Sequence, residues 1–183
     1  GEQELKGSGI SNCAVCDANF FKGKDVAVIG GGDAAFEEGR YLSNICKSVT
    51  LLYHGREFWR AKEDLVERYK DEPNTEYLMG FKTVSFSKDL VPERIAIEGA
   101  DGNGVIVDGV FIYVGVQPVN ELALSIGSDV DEAGYVLVND KFETTYPGVY
   151  AIGDLIHPDF KQIAVAVGDG AFVSKYVKES LED

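Results

Sequence analysis

The residues that most constrain this chain are Gly30, Gly31 and Gly32. They end an apolar, β-branched run, Asp25-Val26-Ala27-Val28-Ile29, and are followed from Asp33 to Asn44 by Ala34, Phe36, Tyr41 and Leu42 among charged residues. A run apolar at successive positions suits a strand buried on both faces, as in the middle of a parallel sheet. Strand, tight turn and helix in that order begin a βαβ unit. Ser48 to Tyr53 reads as the second strand. The charged stretch from Ala61 to Asp71 reads as a second helix, stopped before Pro73 because proline cannot continue the hydrogen-bonded ladder. From Phe81 to Ile97 the pattern changes to short alternating segments with a glycine-rich turn at Gly99 to Gly104, which predicts a small antiparallel meander. Gly109 to Gly115 is again an apolar strand. Beyond Pro118, short strands are expected around Tyr135 to Val138 and Val149 to Ile152, then a helix from about Gln162 to the end.

The glycine turn carries chemistry as well as geometry. Gly30-x-Gly32-x-x-Ala35 fits the G-x-G-x-x-[G/A] fingerprint, between a predicted strand and a predicted helix. The first glycine permits the tight turn, the second lets a pyrophosphate approach the backbone, and Ala35 lets helix and strand pack closely. Phosphates would rest on the helix N-terminus, where free N–H groups and the helix dipole favour negative charge, with Asp33 in its first turn. The bland alternative is a glycine-rich turn without a ligand. The fold class expected is therefore α/β: a Rossmann-like dinucleotide-binding domain with a parallel sheet and the small antiparallel meander over residues 1–118. Residues 119–183 are expected to form an incomplete second α/β half.

Nucleotide identity is written at the end of the second strand, where NAD-binding units place an acid on the ribose 2′-hydroxyl. No Asp or Glu stands between Val49 and Arg56; the chain offers His54, Arg56 and Arg60 instead. Such donors suit a 2′-phosphate, since arginine can bind two of its oxygens at once. NADPH is the expected nucleotide. Glu57 lies among these cations, and the alternative is a loop of solvated charges.

Three cysteines are too few for a secreted disulfide scaffold, and two of them form Cys13-Ala14-Val15-Cys16. That spacing lets two sulfurs meet in one redox disulfide. Asp17 follows directly, placed to move a proton during exchange. Half a zinc site and a purely structural disulfide are the competing readings; neither Cys46, His54 nor His157 completes a zinc spacing. Cys46, in a segment of helical character, is expected to be an inert buried thiol. Net charge of -14 argues against nucleic acid or an anionic membrane as partner. With no apolar run long enough to cross a bilayer and no leader pattern, a cytoplasmic location is expected.

Taken together, Gly9-Ile10-Ser11-Asn12-Cys13-Ala14-Val15-Cys16-Asp17, Phe20-Phe21-Lys22-Gly23-Lys24 and Val28-Ile29-Gly30-Gly31-Gly32-Asp33 resemble the low-molecular-weight thioredoxin reductases. Val49-Thr50-Leu51 leading to His54-x-Arg56-x-x-x-Arg60-Ala61 resembles that family's 2′-phosphate loop. Gly109 to Pro118 resembles its return strand into the flavin domain. Thr144-x-x-Pro147-Gly148-Val149-Tyr150-Ala151-x-Gly153-Asp154 resembles the segment whose acid contacts FAD, and Gln162-Ile163-Ala164 the stretch beside the isoalloxazine.

The resemblance implies hydride passing from NADPH to FAD, then two electrons to Cys13–Cys16, then to a thioredoxin-like protein. It also implies that Cys16 faces the flavin, that Cys13 attacks the partner and that Asp17 handles the proton. The family's opening strand, glycine turn and helix for the ADP half of FAD have no counterpart before Cys13. FAD is thus expected in the complete protein and not in this piece alone. The lack of a parallel neighbour for Val149 to Ile152 leads to the expectation of either disorder over much of 119–183 or a homo-oligomer. Gly55 stands where the family has its first loop arginine, which bears on NADPH over NADH. A bare dinucleotide-binding module and a flavoprotein fed by another electron donor are the other readings.

Overall fold

The Asp25–Gly30 run is buried on both faces, as its composition requires. In the computed structural model Val26, Ala27 and Val28 are wholly inaccessible, flanked on either side by a parallel strand. Residues 1–88, 94–115, 117–158 and 161–182 are described. They fall into two compact units, Gly1–Gly115 and Val116–Asp183.

In the first unit the elements run α1 (Glu2–Leu5), β1 (Ile10–Ser11), α2 (Ala14–Asp17), a 3-10 turn (Ala18–Phe21), β2 (Asp25–Gly30), α3 (Asp33–Ser43), β3 (Ser48–Tyr53), α4 (Glu63–Lys70) and β4 (Thr75–Met79). The strands β5 (Thr83–Lys88), β6 (Ile95–Gly99), β7 (Gly104–Val107) and β8 (Gly109–Tyr113) follow. Two sheets result: a parallel one ordered β1-β8-β2-β3-β4 and an antiparallel one ordered β5-β6-β7. The mixed α/β class, the parallel sheet and the meander are those the sequence predicts; residues 89–93 of the meander lie outside the described residues. Alternation along the strands sorts the core into two layers. Val26 and Val28 join Val49, Leu51, Phe111, Phe36, Leu42 and Tyr69 on the helical side. Ala27 and Ile29 join Leu52, Val110, Ile95, Ile97 and Val107 on the side of the small sheet.

Two features of the first unit differ from the reading of the sequence. The second helix begins at Glu63 instead of Ala61: Lys62 is its N-cap, with an extended backbone (φ -63°, ψ 137°), and the Lys62 N–H goes to the Asp33 side chain at 2.8 Å. Cys46 lies beyond the end of α3, in the connection to β3, with its side chain buried.

The second unit holds α5 (Glu121–Ser125), a 3-10 turn (Gly153–Leu155) and α6 (Ile163–Glu182). Its core is small: Ala123, Val136 and Ala151, with Val130, Val138, Leu155 and Ile156 against them. Tyr135–Val138 and Val149–Ile152 do not form strands among the described residues. They make isolated antiparallel bridges, Val130 with Val136, Val138 with Thr144 and Glu143 with Tyr150. A strand requires a partner along its length, and here the backbone is satisfied locally: Thr144 donates to Val149 at 2.8 Å and Ala151 to Phe142 at 3.1 Å. The strand expected over Val149–Ile152, without a parallel neighbour, is replaced by local antiparallel contacts.

Candidate active site

The five parallel strands of the first unit end at one edge of the sheet, where ligands bind in open α/β folds. The register Ser11 with Phe111 and Gly30 with Tyr113 brings the ends of β1, β8 and β2 side by side, with β3 next in order.

At the end of β1, Cys13 and Cys16 form a disulfide with Cα atoms 5.3 Å apart. Cys13 is the N-cap of the single helical turn α2, and its Sγ accepts the Cys16 backbone N–H at 3.2 Å. Ser11 ties the turn together: its Oγ accepts the Cys13 N–H at 3.0 Å and donates to Asp17 Oδ2 at 2.6 Å. The acid singled out from the sequence is thus bonded to the strand that launches the motif. Cys16 is exposed and Cys13 half-buried. Among the described residues no group of three or more His, Cys, Asp or Glu side chains is placed to hold a metal ion.

Sequence reasoning missed Tyr113. Its hydroxyl accepts the Ala14 backbone N–H at 2.8 Å, suspending the start of the redox turn from the end of β8. Burial pushes the phenol up to about 12, the Ala14 N–H opposing and the Glu38 and Asp17 carboxyls adding to the rise. Glu38, on α3, is itself raised by burial and by Glu37, and its Oε2 is buried without a partner. A tyrosine closing an apolar strand reads as core, and its partner lies 99 positions away.

At the end of β2 the three glycines have different reasons to be glycine. A Cβ on Gly30 would run into the Tyr113 carbonyl oxygen and lie 3.1 Å from Ala35 Cβ, which explains the small residue at both positions. Gly32 meets nothing within 4 Å, so no protein contact demands it. Its open side lies at the N-terminus of α3, where it is the N-cap. Asp33 Oδ1 accepts the Lys62 N–H at 2.8 Å and Oδ2 pairs with Lys62 Nζ at 3.2 Å. The Lys62 N–H is the first cause that holds this carboxyl below its usual range. Asp33 therefore fastens the loop after β3 to the glycine turn. A backbone bridge between Gly32 and Arg60 does the same. His54 and Arg56 are exposed, and the Arg60 guanidinium stacks 4.5 Å from the ring of Trp59.

In the second unit, Gly153 has φ +65°, and a Cβ there would lie 2.9 Å from Ala166 Cβ. This close approach sets the Gly153–Leu155 turn against Ala166 in α6, the helix that begins at Ile163. Asp169, buried on α6, accepts the Gly153 N–H at 2.9 Å and bonds His157 Nε2 at 2.9 Å. Asp154 is exposed. Asp169 was not singled out from the sequence, and His157 was weighed there only as a zinc ligand.

A glycine turn of the G-x-G-x-x-A pattern and a Cys-x-x-Cys disulfide thus share one edge of a parallel sheet. The model of the pyridine nucleotide-disulphide oxidoreductase family matches residues 1–170, and the chain belongs to that family. It is similar to a thioredoxin reductase of Listeria monocytogenes, 41% identical over 198 residues that cover 100% of this chain and 60% of the relative. Among solved structures, the thioredoxin reductase of Streptococcus pyogenes superposes with a TM-score of 0.87 at 34% identity, over 100% of this chain and 60% of that one. A ferredoxin-flavin thioredoxin reductase of Clostridium acetobutylicum aligns with a TM-score of 0.51 at 26% identity, over 100% and 58%. The chain spans about 60% of the length of the first two relatives. No helix among the described residues is long and apolar enough to cross a membrane.

Proposed function

We propose that this chain is the nucleotide-binding and disulfide-bearing part of an NADPH-dependent reductase that passes electrons to a thioredoxin-like protein. The observation that carries the reading is the shared sheet edge: the Cys13–Cys16 turn hangs from Tyr113, the strand neighbour of the Gly30 turn. Gly32 fits a bound pyrophosphate, because its side stays open although no packing requires it. When bound, NADPH supplies a hydride and FAD relays its two electrons. In this reading Gly30, Gly32 and Ala35 receive the pyrophosphate, while His54, Arg56 and Arg60 receive the 2′-phosphate. Gly153, Asp154, Gln162, Ile163 and Ala164 contribute to the FAD site of the longer protein.

The cysteines then act in sequence. Two electrons and two protons convert the Cys13–Cys16 bond to two thiols, with Asp17 holding a proton beside the turn. The Cys13 thiolate attacks one partner sulfur, giving a mixed disulfide and a partner thiol. Cys16 displaces the second partner thiol, and the Cys13–Cys16 bond re-forms. The assignment of attack to Cys13 rests on the family resemblance, since Cys16 is the more exposed of the two here. Exposed Ile163, Val167, Phe172 and Leu181 on α6 support the accompanying proposal of a homo-oligomer.

A second reading takes electrons from a donor other than a nicotinamide dinucleotide. Gly55 and the likeness to the ferredoxin-flavin enzyme favour it. Titrating the purified chain with NADPH and with NADH decides between them, with the single tryptophan, Trp59, as the fluorescent reporter. Saturable quenching, tighter for NADPH, is expected. No saturable change with either nucleotide refutes the first reading in favour of the second.

A further inference from the structure

Tyr53 ends β3 with its ring buried between two glycines. A Cβ on Gly31 would collide with Tyr53 Cδ2 and Cε2, and one on Gly55 would lie 2.5 Å from Cε1 and 2.7 Å from Cζ. These atoms belong to opposite edges of the ring, so Tyr53 cannot retreat from one glycine without driving into the other. Phe58 stacks on it at 5.3 Å and the His54 ring lies 4.9 Å away, which closes further escape. Neither Gly31 nor Gly55 has a left-handed backbone, so the ring and not the main-chain conformation requires glycine at both.

Position 55 belongs to the loop that recognises the adenosine ribose in this kind of βαβ unit, between His54 and Arg56. We infer that Tyr53 determines nucleotide specificity: its ring forces glycine at position 55 and so limits the donors facing a 2′-phosphate to His54, Arg56 and Arg60. The inference rests on the nucleotide reading above. One of those three, Arg60, is already engaged over Trp59. The preference for NADPH is therefore held down by an aromatic ring beneath the loop. An arginine can be added at 55 only when that ring is removed.

A double-mutant cycle on the full chain tests this, reading melting temperature without ligand and the NADPH:NADH affinity ratio from Trp59 fluorescence. Gly55→Arg alone is expected to lower the melting temperature by about 4 °C or more, the scale of overpacking in a chain of this size. It should weaken both nucleotides alike, because the loop is displaced. In the Tyr53→Val background the same arginine should leave the melting temperature within about 1 °C and raise the NADPH:NADH ratio on the order of tenfold, as a charged hydrogen bond would. Tyr53→Leu serves the same purpose should Tyr53→Val not fold. An arginine at 55 that raises the ratio with Tyr53 intact and no thermal cost overturns the inference. So does an equal thermal cost in both backgrounds. A wild-type chain that binds neither nucleotide fails differently: it overturns the proposed function and takes the specificity claim with it, even where the thermal coupling is found.

Discussion

Replacing Tyr113 with phenylalanine isolates one hydrogen bond at the redox turn. The ring packs against the helical-side core, and phenylalanine keeps that packing. What disappears is the acceptor of the Ala14 N–H, 2.8 Å away, in a residue only 1% exposed. A buried N–H left unpaired costs about 1–3 kcal/mol, or roughly a 5- to 150-fold shift in a local opening equilibrium. Amide exchange of the oxidised chain, followed by NMR, reads that shift directly. The Ala14 amide should exchange faster by that factor, while the Val28 and Val49 amides in the sheet centre stay unchanged. The same fraying should speed reduction of Cys13–Cys16 by dithiothreitol, since access to the sulfurs limits exchange. Ala14 protection within twofold of wild type would refute the claim that Tyr113 holds the turn.

Asp169→Ala should leave the Gly153 N–H and His157 without their buried acceptor and destabilise the second unit by about 1.5–3 kcal/mol, typical for bonds to a charged group. Limited proteolysis should then cut around Gly153–His157 while Gly1–Gly115 resists, and an unchanged digestion pattern would contradict it. Burial pushes the Cys46 thiol from 9.0 up to about 11. Its contribution to stability is therefore full below 9.0 and lost as the pH rises through about 11, because the unfolded chain ionises first. At pH 8 iodoacetamide should label Cys13 and Cys16 after reduction and leave Cys46 unmodified in the folded chain; mass spectrometry of the digests checks this.

Much of the first unit was legible because burial on both faces leaves a plain mark. Val26–Ile29 and Val110–Ile112 admit few other readings, and the break at Gly30–Gly32 fixes where the helix must start. The redox motif and the glycine turn were legible for the same reason, being short and local. What escaped were contacts between distant residues. Tyr113 looks like one more apolar strand position until β8 is placed beside β1. Gly55 reads as a missing arginine until the ring of Tyr53 is seen beneath it. Asp33 reads as one more residue of the glycine turn, and its bonds to Lys62 become visible only when the loop after β3 is placed beside it. In the second unit Val149–Ile152 has strand composition, but composition does not supply a neighbour, and its hydrogen bonds close over a few residues instead.

The sheet order β1-β8-β2 also sets a timetable. As the ribosome makes this chain, Cys13 and Cys16 are translated first, and the strand that carries Tyr113 follows about a hundred residues later. At ordinary elongation rates that is an interval of roughly 5–20 s. Until Gly109–Tyr113 slots between β1 and β2, the two-residue strand Ile10–Ser11 has no sheet to join and the Ala14 amide has no phenol to hold it. The cysteines thus spend their first seconds on a tether, open to oxidants and to foreign thiols. A nascent chain stalled before Gly109 should accordingly show them as the most readily modified residues it has.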